Sequence, residues 1–171
     1  MQADIAEEMS DHSDVFVFGR VTYDIFAAYW PNAVAYAAGD ELRPAEGKED
    51  PRIIRALNES LKVVFSSSLD ERGWANTRVV RGQPEDEIRR LVAQAGKAVN
   101  IQGSASIVQT LARADLIDEY LLYIHPVLLG DGKSLFAHGE LNRQHFDLVR
   151  LKQYANGVVS VRYRRKSALA T

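Results

Sequence analysis

The chain has 171 residues, 46% hydrophobic and 26% charged, with a formal net charge of −2. That composition suits one globular domain spanning 1–171 with a real core, and gives no general electrostatic pull toward nucleic acid or an anionic membrane. The absence of cysteine excludes disulfides, zinc thiolate sites and a thiol nucleophile; His12, His125, His138 and His145 are scattered without ligand spacing, so no metal site is expected.

In chain order, Ala3 to Met9 reads as a helix, with no basic region leading into an apolar stretch as a signal peptide requires. Val15–Phe16–Val17–Phe18 is a short, continuous apolar run rich in branched and aromatic residues, which predicts a strand buried on both faces. It stops at Gly19–Arg20, and Thr22 to Ala28 follows as a helix with Tyr23, Phe26 and Ala27 on one side. Trp30 to Asp50 is broken by Pro31, Gly39, Pro44 and Gly47 and reads as irregular. Asp50–Pro51 is a helix start, with a capping side chain followed by proline in the first turn; Ile53, Ile54 and Leu57 form its apolar face.

Lys62 to Phe65 is the second strand, closed by Ser66–Ser67–Ser68, and Arg78–Val79–Val80 the third. Pro84 opens a helix with Glu85, Asp86 and Glu87 in its first turn, where acids suit the helix dipole. Ile88, Leu91, Val92 and Ala95 are its expected buried stripe, and Gly96 its stop. Ala98 to Ile101 is the fourth strand, closed by Gln102–Gly103–Ser104–Ala105, and a helix follows through Ile107, Val108 and Leu111. Asp118 to Ile124 is the fifth strand. Two alternating segments, Phe146 to Tyr154 and Val158 to Tyr163, flank Asn156–Gly157, a strong hairpin signal. The basic tail Arg162–Lys166 reads as an exposed strand end, and no apolar run approaches the ~20 residues of a membrane span. Strand–helix units followed by a hairpin predict an α/β fold, mostly parallel, with an antiparallel C-terminal hairpin. A soluble, cytoplasmic protein is expected.

Three strands end in small or polar residues: at Gly19–Arg20–Val21–Thr22, at Ser66–Ser67–Ser68 and at Gly103–Ser104–Ala105. Parallel sheets bind ligands outside their carboxyl ends, where glycine admits a ligand to the backbone and helix-start amides accept phosphate oxygens. Arginine adds a planar donor fork and serine neutral donors. Each corner alone is better read as a turn or a solvated loop; together they point to one phosphate-bearing ligand. No Gly-x-Gly-x-x-Gly follows an early strand and no Walker motif is present, which disfavours ordinary dinucleotide folds and P-loop enzymes.

The same residues carry a family resemblance. Gly19–Arg20–Val21–Thr22–Tyr23 resembles the Gly-Arg-x-Thr-aromatic segment of dihydrofolate-reductase-like proteins; Lys62 to Ser68 and Val99 to Ala105 resemble their other nucleotide-contacting strand ends. Leu116 to Tyr120, then His125–Pro126–Val127–Leu128–Leu129–Gly130–Asp131–Gly132 and Leu135–Phe136, are similar to the reductase domain of riboflavin-biosynthesis deaminase-reductases and their stand-alone relatives. The resemblance runs from Asp14 to Tyr163. It implies a three-layer αβα fold and NADPH as cofactor: Gly19, Arg20 and Thr22 on the adenine-side phosphates, Ser66, Ser67 and Ser68 near the 2′-phosphate or ribose, and Gly103, Ser104 and Ala105 on the pyrophosphate. It also implies a cis peptide in the glycine turn, expected at Gln102–Gly103, and a homodimer using Tyr120 to Ile124 and the hairpin. The family's usual first central strand has no counterpart, since the sequence opens at the helix after it; that strand is expected to be missing or replaced.

The implied activity is hydride transfer to a pterin-like or aminopyrimidinone-like ring, such as the ribosylaminopyrimidine of riboflavin synthesis. A nucleotide-binding or dimer-forming module without efficient catalysis is the alternative, and an ordinary α/β domain without nucleotide a third reading. For the proton donor the sequence offers Asp4, Glu7 or Glu8 on the first helix, and Tyr123 or His125. Trp30, beside Tyr29, fits either stacking on a substrate ring or sealing the core. Asp131 and Lys133 fit either a substrate phosphate or the shaping of their turn.

Overall fold

The computed structural model describes residues 1–35, 48–69, 73–136 and 143–166. Most of the segment expected to be irregular, 36–47, lies outside the described residues, as does His138. The chain divides into two compact units, Met1–Val108 and Gln109–Thr171.

The first unit opens with α1 (Gln2–Asp11), β1 (Ser13–Gly19) and α2 (Arg20–Tyr29), then a 3₁₀ turn at Trp30–Asn32 and two short strands, β2 (Val34–Ala35) and β3 (Lys48–Glu49). It continues with α3 (Pro51–Glu59), β4 (Leu61–Phe65), β5 (Thr77–Val80), α4 (Pro84–Gln94), β6 (Ala98–Gly103) and the start of α5 (Ala105–Arg113). β5, β4, β1 and β6 form, in that order, an entirely parallel sheet. Among the described residues β6 pairs with β1 alone.

β1 is central, and its apolar run is buried on both faces, with Phe16, Val17 and Phe18 fully enclosed. Phe16 and Phe18 join Ala6, Met9, Tyr23, Ile53, Leu57, Val64 and Trp74 in the main apolar cluster. α3 starts where its sequence dictates: the Asp50 carboxylate accepts the Arg52 amide at 2.9 Å, and Pro51 fills the first turn. On α4, Ile88 and Leu91 are buried, but Val92 is 55% exposed. The buried face is rotated toward Glu87, which is itself buried and ion-paired to Arg78 and Arg90.

In the second unit β7 (Glu119–Ile124), β8 (Phe146–Gln153) and β9 (Val159–Arg165) form an antiparallel sheet in the order β7–β9–β8. The hairpin turns at Asn156–Gly157 as expected, Gly157 taking φ +84°, a conformation that suits glycine. Tyr120 packs edge-on against Phe136 and Phe146, with ring centroids 5.5 and 5.4 Å apart. The basic tail proves to be the end of β9, held by ion pairs: Arg164 to Glu119 at 2.6 Å and Arg165 to Asp118 at 2.8 Å.

Candidate functional site

Parallel register sets the three corners level. Gly19 lies opposite Phe65, so Ser66 begins beside it; Phe18 lies opposite Gly103, so Ser104 begins on its other flank. All of these positions fall at the carboxyl ends of the strands of one sheet, where open α/β folds present their ligand sites.

Side chains and close backbone approaches join the corners. Arg20 donates through Nε to Asp24 at 2.6 Å and through Nη1 to Ser68 Oγ at 3.3 Å, tying the start of α2 to the serine loop. A methyl group on Gly19 would collide with Ser104 Oγ and stand 3.2 Å from the Ser104 amide nitrogen, so only glycine lets β1 end against that turn. Gly103, at φ +120°, presents its Cα face to Thr22; a Cβ there would lie 3.4 Å from Thr22 Oγ1.

The turn has a cis peptide at Gly103–Ser104, not at the expected Gln102–Gly103. Gln102 still belongs to β6, its amide donating to Asn100 Oδ1 at 2.8 Å, and the chain changes direction only at the positive-φ glycine one residue later. α5 starts at Ala105, and the Ser104 carbonyl accepts the Val108 amide at 3.1 Å. Ser104 Oγ and Ser106 Oγ are 2.8 Å apart.

The three serines have distinct tasks. Ser66 Oγ accepts the amides of Ser68 and Leu69 at 3.2 and 3.0 Å, so it shapes the loop. Ser67 and Ser68 are exposed. Sequence reasoning missed one rim residue, Arg81. It follows Val80, which lies opposite Phe65 on β4, and its Nη2 donates to the Leu69 carbonyl at 3.3 Å. The signal was available: Arg81, like Arg20, is an arginine immediately past a parallel strand.

The edge of this sheet therefore carries two helix starts, two glycines that let its corners pack against one another, exposed hydroxyls and two guanidinium groups. That donor set fits an elongated anion carrying several phosphates, as the group the resemblance implies is.

The remaining candidates are placed elsewhere in their units. Trp30 packs on Phe26 and Tyr29, with ring centroids 6.2 and 5.3 Å away, and lies half-buried against the main cluster. Tyr29 donates to Glu49 at 2.8 Å, and that carboxylate pushes the phenol pKa up. Asp4 sits in the first turn of α1, 3.5 Å from the terminal ammonium. In the second unit Tyr123 stacks on Tyr154 at 6.5 Å, His125 is exposed, and Asp131 accepts the Gly132 amide at 2.7 Å, which shapes its turn. Among the described residues no group of three or more His, Asp or Glu side chains is placed to hold a metal ion, and no helix is long and apolar enough to cross a membrane.

Comparison with known proteins decides the lineage. The model of the RibD C-terminal domain matches residues 1–160. This chain belongs to the RibD C-terminal domain family. The uncharacterized protein YyaP of Bacillus subtilis (strain 168) is 27% identical over 158 residues, covering 88% of this chain and 73% of that protein. A crystal structure from Shewanella sp. PV-4, provisionally assigned to riboflavin biosynthesis, superposes with a TM-score of 0.66 at 22% identity, over 93% of this chain and 77% of that one. A pyrimidine reductase-like protein of Corynebacterium diphtheriae gives 0.59 at 16% identity, over 97% and 81%. The diaminohydroxyphosphoribosylaminopyrimidine deaminase/5-amino-6-(5-phosphoribosylamino)uracil reductase of Thermotoga maritima gives 0.58 at 14% identity; this chain spans 49% of its length. These neighbours share the α/β fold expected from the sequence, a mostly parallel sheet with an antiparallel hairpin.

Proposed function

We propose that this RibD-family chain is an NADPH-dependent reductase of a pterin-like or aminopyrimidinone-like heterocycle, acting as one domain over 1–171. The observation that carries the reading is the joining of three corners, far apart in sequence, at one sheet edge: Arg20 to Ser68, Gly19 to Ser104, and Thr22 to Gly103. NADPH would supply the hydride. The chain's own residues would bind and orient it: the amides at the starts of α2 and α5 and the Ser104 hydroxyl on the pyrophosphate, and Arg20, Ser67, Ser68 and Arg81 on the 2′-phosphate. A neutral-donor rim alone would hold NADH as well as NADPH; two arginines beside the serine loop favour the cofactor with the extra phosphate. The cysteine-free chain has no disulfide to lose in a reducing compartment, which suits the cytoplasm.

A titration following nicotinamide fluorescence tests this. NADPH is expected to bind more tightly than NADH, and Arg20→Ala and Arg81→Ala each to weaken NADPH roughly tenfold, the loss of about one charge-assisted contact. Absence of binding to either nucleotide would overturn the reading. Binding without NADPH consumption, when a dihydropterin or an aminopyrimidinone is offered, would make the chain a nucleotide-binding module instead.

A further inference from the structure

Arg20 and Asp24 form an ion pair one helical turn apart on α2, Nε to Oδ2 at 2.6 Å. As a device for holding a helix together, this pair is the wrong way round. Arg20 is the first residue of α2, where a cation meets the positive end of the helix dipole, and its acid follows it instead of leading. No acidic side chain stands in the first turn to compensate. Both side chains are open to solvent, at 41% and 48%, and ion pairs so exposed add little to stability. Helix stability therefore does not account for the pair.

Its geometry answers a different need. A guanidinium carries its N–H donors in one plane. Arg20 commits Nε to Asp24 and one Nη1 donor to Ser68 Oγ at 3.3 Å, while Nη2 has no partner among the described residues. The plane is thus fixed at one point on its own helix and at another across the rim. The two anchors differ in kind. A phosphate that bonded to the Ser68 hydroxyl would compete with Arg20 for it, whereas the Asp24 carboxylate is no partner for a phosphate and keeps its hold. An arginine without that hold would have to be immobilised when the ligand binds, at the expense of affinity.

We propose that Asp24 is a positioning residue for the 2′-phosphate of NADPH: it holds the Arg20 guanidinium so that the outer Nη donors stand beside the serine loop before the nucleotide arrives. This rests on the reading of the rim as an NADPH site. The pair also sets selectivity. In dinucleotide sites a carboxylate near the adenosine ribose commonly accepts the 2′-hydroxyl and so favours the cofactor without the extra phosphate. Here the carboxylate is engaged by Arg20, which turns a group that would select NADH into support for the group that selects NADPH. Charge alone would act in the opposite sense, since a carboxylate repels a nearby phosphate. Positioning and repulsion therefore predict opposite signs.

Fluorescence titration of the full chain with both nucleotides separates them. The ratio of the NADH to the NADPH dissociation constant reads the 2′-phosphate contact; because the two ligands share every other contact, a general loosening of the fold does not move it. Asp24→Ala should lower that ratio roughly fivefold, the loss of one preorganised charge-assisted contact. Asp24→Glu, whose carboxylate still reaches back one turn, should restore it. Added to Arg20→Ala, the same Asp24→Ala should raise the ratio instead, because an unpaired carboxylate can only repel. A ratio that Asp24→Ala leaves unchanged or raises while Arg20 is present, Asp24→Glu no better than Asp24→Ala, or an equal fall with and without Arg20 would each overturn the inference. A wild type without preference for NADPH would overturn the NADPH reading and this inference with it; a wild type that prefers NADPH, with Asp24→Ala silent, overturns the inference alone.

Discussion

Gly19 shows what a single position can and cannot disclose. Its place after an apolar run marks a strand end, and that much is legible from composition. Its contact with Ser104 is not: the two are distant in sequence, and only the parallel register of β1 with β6 brings them together. Gly19→Ala would force the turn aside, and overpacking of this kind typically costs about 1–3 kcal/mol. Urea unfolding should show a lowered midpoint with an unchanged slope, and NADPH should bind more weakly to the folded fraction. A variant that matched the wild type in both would mean that the close approach has no consequence. Arg81 illustrates the converse. The residue is visible in the sequence, but its proximity to the serine loop depends on β4–β5 pairing, which no local pattern announces. The cis peptide stands one residue beyond its expected place, at Gly103–Ser104.

Among the elements, β4 carries the least legible feature. Lys62 reads as the polar opening of a strand, yet it is fully buried. Its ammonium donates to the carbonyls of Leu57, Asn58 and Ser60 at 2.7, 3.3 and 2.8 Å and lies 4.6 Å from the Trp74 ring, so it closes the C-terminal end of α3. Caps made by local sequence, such as Asp50, are readable; this one comes from the next strand folding back. Burial lowers the Lys62 pKa to about 8 from an ordinary 10.5. The unfolded chain therefore holds the proton more tightly than the folded one. The stability contributed by the neutral amine is present in full above 10.5 and is lost as pH falls through 8. From pH 8 toward 10 the unfolding free energy should rise, by at most about 1.4 kcal/mol per pH unit for one proton. Tyr120, whose phenol burial and Asp115 push upward from 10.0, acts in the opposite sense above that value, so the measurement should stop there. Chemical denaturation across this window should show the rise, and Lys62→Met should flatten it. An equal slope in both proteins would assign the titration to another group.

For the whole molecule, the sequence made the α/β class and hairpin plain because strand–helix alternation and Asn156–Gly157 are local signals. It did not reveal that the chain separates into two compact units, since no composition change marks the boundary. That boundary falls inside α5, which starts at Ala105 in one unit and ends at Arg113 in the other. Independent domains are normally divided at exposed, flexible linkers, and a break within a helix would forfeit its backbone hydrogen bonds. Two units sharing a helix should therefore unfold as one. The proposed binding of NADPH makes this measurable, since a ligand at 100 times its Kd stabilises the folded state by about 2.7 kcal/mol. In native-state hydrogen exchange, the slowest amides report global unfolding. Those of β1, around buried Phe16, and of β9, around buried Val161, should gain the same increment when NADPH is added. The rim amides of Gly19 to Tyr23 and Ser104 to Val108, which open locally, should gain further protection of their own. An increment confined to Met1–Val108 would show two independently folding domains, only the first of which holds the nucleotide.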